Sequence, residues 1–216
     1  MNITTPRVEI IDAPDYNTML RKIERIGRVC YKSEDKITEG SAETFIRSLI
    51  VRGHESVIEH QSITVKFICD RGVSHEIVRH RLASYSQEST RYCNYTDGKF
   101  DGGITVADIA SGCGWDLNDP KDEKKFHIWL NAMVDAEKHY LNLIEAGATP
   151  QEARSVLPNS LKTEVVMTAN LREWRHFIRL RDSKRAHPQM QEVAHMIGKE
   201  LVERYPVFFE DLEALA

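Results

Sequence analysis

The apolar residues of this chain change period along its length, and the order of those periods limits the fold. Val8 and Ile10 alternate with polar neighbours, as do Ile63, Val65 and Phe67. An apolar residue at every second position marks a strand with one covered face. Glu164 to Thr168 is a third predicted strand. Elsewhere the spacing is helical: Met19, Ile23, Ile26 and Cys30 recur across Asp15 to Tyr31, and a shorter helix over Ala42 to Val51 stops at Gly53. Ile77, Val78 and Leu82 predict a helix from Ser74 to about Leu82. A long helix is expected from about Asp122 to Ala146, with Gly147 as its stop. Thr149-Pro150-Gln151-Glu152 has the capping-box spacing with proline at the first helical position. Arg172 to Arg181 and Pro188 to Tyr205 complete the helices. Strands and helices do not alternate regularly, so the order points to α+β rather than to a doubly wound parallel sheet. Ser84 to Asn94 carries too many hydroxyls to assign, and Ser111 to Pro120 reads as a mobile surface loop.

At 216 residues the chain can bury a sizeable core as one domain. Its formal net charge of −4 argues against a general nucleic-acid coat, which would be basic. Cys30, Cys69, Cys93 and Cys113 contain no C-x-x-C pair and read as reduced thiols rather than a disulfide framework or a zinc site. The start, Met1 to Pro6, lacks the charged and apolar regions of a secretory signal, and no apolar run approaches a membrane span. The expectation is a cytoplasmic protein with no membrane partner.

Two segments depart from the acidic balance. Arg71 to Arg91 holds four arginines (71, 79, 81, 91) against Glu76 and Glu88, and Arg172 to Arg185 holds six basic residues (172, 175, 179, 181, 184, 185) against Glu173 and Asp182. Guanidinium groups stay charged and present a planar fork of donors suited to phosphates and carboxylates. Arginines on a helix also commonly form a solvated face of weak ion pairs, and that reading stays open for 172–185. On a regular helix Arg79 and Arg81 would point about 200° apart, so either the helix ends there or the two serve different ligands. Ser84, Tyr85, Ser86, Gln87, Ser89 and Thr90 beside them offer hydroxyl and amide groups for phosphate oxygens or base edges. His54 and His60 are six apart, which is not the H-E-x-x-H spacing, so His54 is open between a structural hydrogen bond and a functional role, and no metal is expected. Ser89 lacks a G-x-S-x-G elbow, and Cys93 has only its nearness to the basic segment. An alternative of another class is an RNA-binding module stacking bases on Tyr85, Tyr92 and Tyr95.

Arg79-His80-Arg81, then seven residues, then Ser89 resembles the R-H-R-x7-S signature of the flavin-dependent thymidylate synthases, and Arg91 continues the match. Gly53-His54-Glu55-Ser56 with Glu59-His60 resembles the upstream flavin-site motif of that family. Ala153 to Pro158, Asn170-Leu171-Arg172 and Leu180-Arg181 resemble its C-terminal elements in the same order. The resemblance implies one α+β domain, 1–216, with a mainly antiparallel sheet flanked by helices and assembled as a homotetramer with shared sites. It implies an enzyme that converts dUMP to dTMP with FAD, NADPH and 5,10-methylenetetrahydrofolate, and no nucleic-acid partner. By position, His54, Ser56, Arg79, His80, Arg81, Gln87, Asn170, Arg172 and His176 would hold FAD. Glu76, Arg79, Gln87, Ser89, Arg91, Arg154 and Arg181 would hold dUMP. Arg181 would face the uracil ring as the catalytic group, and Ser89 would position substrate rather than attack it.

Overall fold

The computed structural model describes residues 1–215, with side chains followed as far as Leu212. In chain order its elements are β1 (Asn2–Thr4), β2 (Arg7–Asp12), α1 (Tyr16–Val29), α2 (Ser41–Val51), β3 (Ser62–Asp70), α3 (Arg71–Ile77), β4 (Ala83–Gln87), β5 (Thr105–Ala107), α4 (Ala110–Cys113), α5 (Pro120–Glu145), α6 (Pro150–Ala153), β6 (Lys162–Asn170), α7 (Leu171–Arg181), α8 (Pro188–Arg204) and α9 (Pro206–Phe209). The main sheet runs β2-β3-β6-β4, and each neighbouring pair is antiparallel. β1 and β5 form a separate parallel pair.

The period-2 pattern decides which face of the sheet is covered. Ile63, Val65 and Phe67 of β3 and Val165, Met167 and Ala169 of β6 are buried against residues of α1, α2, α7 and α8. Their alternate neighbours form a polar face, where Thr64 and Thr168 hydrogen-bond at 2.9 Å and Lys66 pairs with Glu9 at 2.8 Å. β3 and β6 are the two inner strands, so the ladder register places the first residue of β3, Ser62, opposite the last of β6, Asn170. A second apolar cluster gathers Ile104, Val106, Leu161 and Tyr95 under Met133 and Tyr140 of α5. α5 is otherwise largely exposed, and its N-terminus is closed by Asp119, whose side chain accepts from the backbone N–H of Lys121 and Asp122.

The α+β class and antiparallel sheet agree with the sequence. Two local expectations are corrected, and one unassigned stretch is placed. The helix predicted over Ser74 to Leu82 starts earlier, capped by Asp70, and ends at Ile77, because the chain must turn back to enter β4. Two hydrogen bonds from the Tyr85 hydroxyl, to the carbonyls of Ile77 (3.0 Å) and His80 (2.6 Å), hold that turn. The unassigned hydroxyl-rich stretch begins as β4, an edge strand whose outward serines explain its polarity. The 111–120 segment is not all loop: α4 packs on α8, Ser111 hydrogen-bonds Glu192, and Gly112 lies so close that an added Cβ would sit 2.8 Å from Gln189 Cγ. The short strands β1 and β5 carried too few residues to show a period.

Candidate active site

Parts of both basic segments come together where the turn after α3 meets α7. β4 pairs with β6 and α7 follows β6 directly, so residues 79–82 are carried to the N-terminal half of α7. His80 is 4% exposed. Its Nδ1 lies 3.0 Å from Glu173 Oε1, its Nε2 lies 3.1 Å from Arg181 Nε, and its ring packs on Phe177 at 4.9 Å between centroids. Burial holds His80 below the usual imidazole range; the Glu173 bond opposes that shift and the charge of Arg181 adds to it. The helix does end before Arg79, so Arg79 and Arg81 are freed from helical geometry and both are exposed.

Arg181 closes α7. Its Nη1 donates to Glu76 Oε2 at 2.7 Å, its Nη2 to the Glu76 carbonyl at 3.1 Å, and its Nε to His80. Three of the five guanidinium N–H groups are therefore fixed by the protein and two are left for a ligand. Glu76, expected beside the substrate, faces Arg181 in an ion pair. A depression of about 690 Å³ is lined by Glu76, Arg181, Arg185 and His187. Nothing in the spacing of the sequence singled out His187.

Most of the residues expected at the flavin gather at the start of α7. Asn170 caps that helix by accepting from the Glu173 N–H at 2.9 Å. With Arg172, His176, Leu82 and Glu59 it lines a depression of about 510 Å³. The 3-10 turn Glu55–His60, which follows His54 and contains Ser56, packs on α7 through Glu55 and Glu59. His54 is exposed, with Nδ1 2.8 Å from the Tyr31 hydroxyl. Gln87 lies at the other end of β4, its amide donating to Ser74 (2.9 Å) and Thr163 (3.2 Å).

Ser89, Arg91 and Arg154 form a third group past that end of β4. The Arg91 N–H donates to Ser89 Oγ (3.3 Å), Arg91 Nε to Gln151 Oε1 (2.9 Å), and Arg154 Nη1 to Thr90 Oγ1 (3.4 Å). Ala83 and Gln87 are separated by ~13 Å at about 3.3 Å per residue, so this group and the Asn170 group sit at opposite ends of one strand. Arg79, Arg81, Arg91 and Arg154 make no ion pair with a carboxylate among the described residues, although the chain carries more acids than bases. The second segment behaves differently. Arg172 pairs with Glu59, Arg179 with Glu55, and Arg175 is fully buried between Glu55, Asp211 and the Phe208 carbonyl. Only part of 172–185 is thus a solvated face, and Arg175 is neither solvated nor free for a ligand.

The competing chemistries lose support from the same geometry. His80, Glu173 and His176 bring one ligand atom each within 4.8 Å of one another, but both ring nitrogens of His80 are already hydrogen-bonded, to Glu173 and Arg181. Burial pushes the Cys93 thiol up, the opposite of an activated thiolate. Tyr95 is buried and Tyr85 is held by two carbonyls, so of three tyrosines offered for base stacking only Tyr92 is open.

The exposed arginines at the two ends of β4 and the pinned guanidinium of Arg181 are groups suited to anionic ligands. The family model described as "Thymidylate synthase complementing protein" matches residues 14–207. The chain is 34% identical over 209 residues to the flavin-dependent thymidylate synthase of Mycolicibacterium gilvum, covering 90% of this chain and 80% of that protein. It is 31% identical over 174 residues to the enzyme of the same name from Pyrococcus furiosus, covering 80% and 68%. A crystal structure of a UMP/dUMP methylase, PolB, from Streptomyces cacaoi bound with 5-Br dUMP superposes with a TM-score of 0.79 and 25% identity, covering all of this chain and 98% of that one. The chain belongs to the thymidylate synthase complementing protein family.

Proposed function

We propose that residues 1–216 act as one flavin-dependent thymidylate synthase domain, methylating dUMP reductively to dTMP. The observation that carries this reading is that Arg79, Arg81, Arg91 and Arg154, at the positions the family resemblance assigns to anionic ligands, are among the arginines that make no ion pair with a carboxylate of the described residues. FAD fits the first group: Arg79 and Arg81 are exposed, make no ion pair among the described residues and precede Leu82, which lines a depression with Asn170, Arg172 and His176; His54, Ser56 and His80 belong to the assigned set, and Gln87, also assigned to it, lies at the far end of β4. When bound, FAD supplies hydride chemistry that side chains lack, with NADPH as its reductant and 5,10-methylenetetrahydrofolate as the carbon source, leaving tetrahydrofolate.

The chain's own work is binding and orientation. Arg91, Arg154, Ser89 and Gln87 hold the dUMP phosphate and sugar end. Arg181 offers its two remaining donors to the N3/O2 edge of uracil. Negative charge developing there is stabilised, and C5 becomes more nucleophilic. Because Ser89 and Arg91 lie a strand's length from Asn170 and Arg172, one subunit does not hold both groups together, which favours a homotetramer with sites shared between subunits. No helix of the described residues is long and apolar enough to cross a membrane, and the four unpaired cysteines suit the cytoplasm.

The test is an absorbance spectrum of the purified protein before and after NADPH and dUMP, with tritium release from C5-labelled dUMP. Flavin bands that bleach, with tritium released, are expected. A protein that is colourless and cannot be reconstituted with FAD refutes the reading. The likeness to a UMP/dUMP methylase favours one variant, turnover of UMP, which C5-labelled UMP would reveal.

A further inference from the structure

Glu173 lies in the first turn of α7 and is 7% exposed. It sits two turns from Arg181 on the same helix, ~12 Å along the axis, so it cannot reach that guanidinium itself. His80, carried in by the turn before β4, bridges them: Glu173 Oε1 is 3.0 Å from Nδ1 on one side of the imidazole, and Arg181 Nε is 3.1 Å from Nε2 on the other. A guanidinium N–H can only donate, so Nε2 must accept. The ring is then neutral with its proton on Nδ1, where the only use for that proton is the Glu173 carboxylate. The opposite tautomer would set an N–H against an N–H and leave a buried carboxylate without a donor. Burial of the ring, which holds it below the usual imidazole range, works in the same direction. The far side of the guanidinium is fixed independently by the carboxylate and carbonyl of Glu76.

We propose that Glu173 is a positioning residue for Arg181, acting through His80: its carboxylate selects the imidazole tautomer that accepts from Arg181 Nε, and so fixes which guanidinium donors face the pyrimidine. The inference rests on the role given to Arg181 above. It also gives His80 a task inside the protein, turned toward Arg181, in addition to any backbone contact with flavin.

The test compares Glu173→Ala and Glu173→Gln in the flavin-loaded enzyme, reading kcat and KM for tritium release from C5-labelled dUMP together with the flavin spectrum. Glu173→Ala is expected to lower kcat about 10- to 100-fold, the size of effect seen when an outer partner of a functional side chain is removed, with KM for dUMP and flavin content unchanged. Glu173→Gln keeps an oxygen that accepts from Nδ1–H and restores most of the rate. In an Arg181→Ala background, Glu173→Ala adds no further loss. Wild-type kcat in Glu173→Ala, or losses that multiply in the double variant, overturns the inference. Wild-type turnover in Arg181→Ala alone instead overturns the reading of Arg181 on which it rests. Should Glu173→Ala not fold, nitrogen NMR of histidine-labelled wild-type enzyme decides: Nδ1 protonated and Nε2 bare is expected, and either the reverse tautomer or an imidazolium refutes it.

Discussion

Replacing Arg175 by leucine tests whether the second basic segment includes a structural anchor. Arg175 has no exposed surface, and its guanidinium donates to both oxygens of Asp211 at 2.6 and 2.7 Å, to Glu55 at 3.1 Å and to the Phe208 carbonyl at 2.5 Å. It therefore ties α7 to the 3-10 turn after His54 and to the C-terminal segment. Leucine fills part of the volume but leaves the buried Phe208 carbonyl without its donor and Glu55, only 15% exposed, with the longer contacts to Arg179 (3.5 Å) and Arg172 (3.8 Å) alone. Breaking one side of a buried ion pair costs about 3–5 kcal/mol; Asp211 is 45% exposed and can rehydrate, which places this case near the lower figure. For a chain of this size each kcal/mol lowers Tm by about 2–4 °C, so a fall of about 6–12 °C is expected by calorimetry. The pH dependence has a definite sign. Burial pushes the Asp211 carboxyl up, but the Arg175 bond and charge outweigh it and hold the folded group below the usual carboxylate range. That contribution is present above the unfolded value of about 3.9 and is lost as pH falls through the folded one. The gap between wild type and variant should hold at neutral pH and narrow in acid. A Tm within about 2 °C of wild type at neutral pH, or a gap that widens in acid, refutes the reasoning.

Arg181→Ala should lower kcat by about 10²–10³ while the flavin spectrum is retained, since a transition-state donor is lost and the other residues assigned to FAD stay in place; wild-type-like turnover would remove Arg181 from catalysis. Ser89→Ala should weaken dUMP binding in a titration yet leave measurable activity, whereas complete loss with binding intact would point to a nucleophilic serine. Gly112→Ala should destabilise the protein by about 1–3 kcal/mol in a denaturant melt, because the new Cβ would lie 2.8 Å from Glu192 Oε2 and 3.0 Å from Gln189 Cα, and the second of these is backbone that cannot turn away. An unchanged midpoint would mean α4 moves off α8 at no cost.

Much of this protein was determined by its sequence alone. The period-2 run at Ile63–Phe67 and the strand expected at Glu164–Thr168 became the two inner strands, and the helical runs at 15–31, 122–146 and 188–205 became α1, α5 and α8 with ends shifted by a few residues. Those patterns are local, because burial of one face imposes its period on the residues that supply it. The capping box at Thr149 and Glu152 was equally legible, since both partners lie within one turn. What the sequence could not decide was which arginines are occupied. Arg175 and Arg91 look alike in composition, yet one is sealed between two acids distant in sequence and the other makes no ion pair among the described residues. Nor could it show that Glu173 and Arg181 meet through His80, or that Glu76 faces Arg181. Those contacts join residues about a hundred positions apart, and only the pairing of β4 with β6, which fixes where the turn after α3 meets α7, brings them within a hydrogen bond's length.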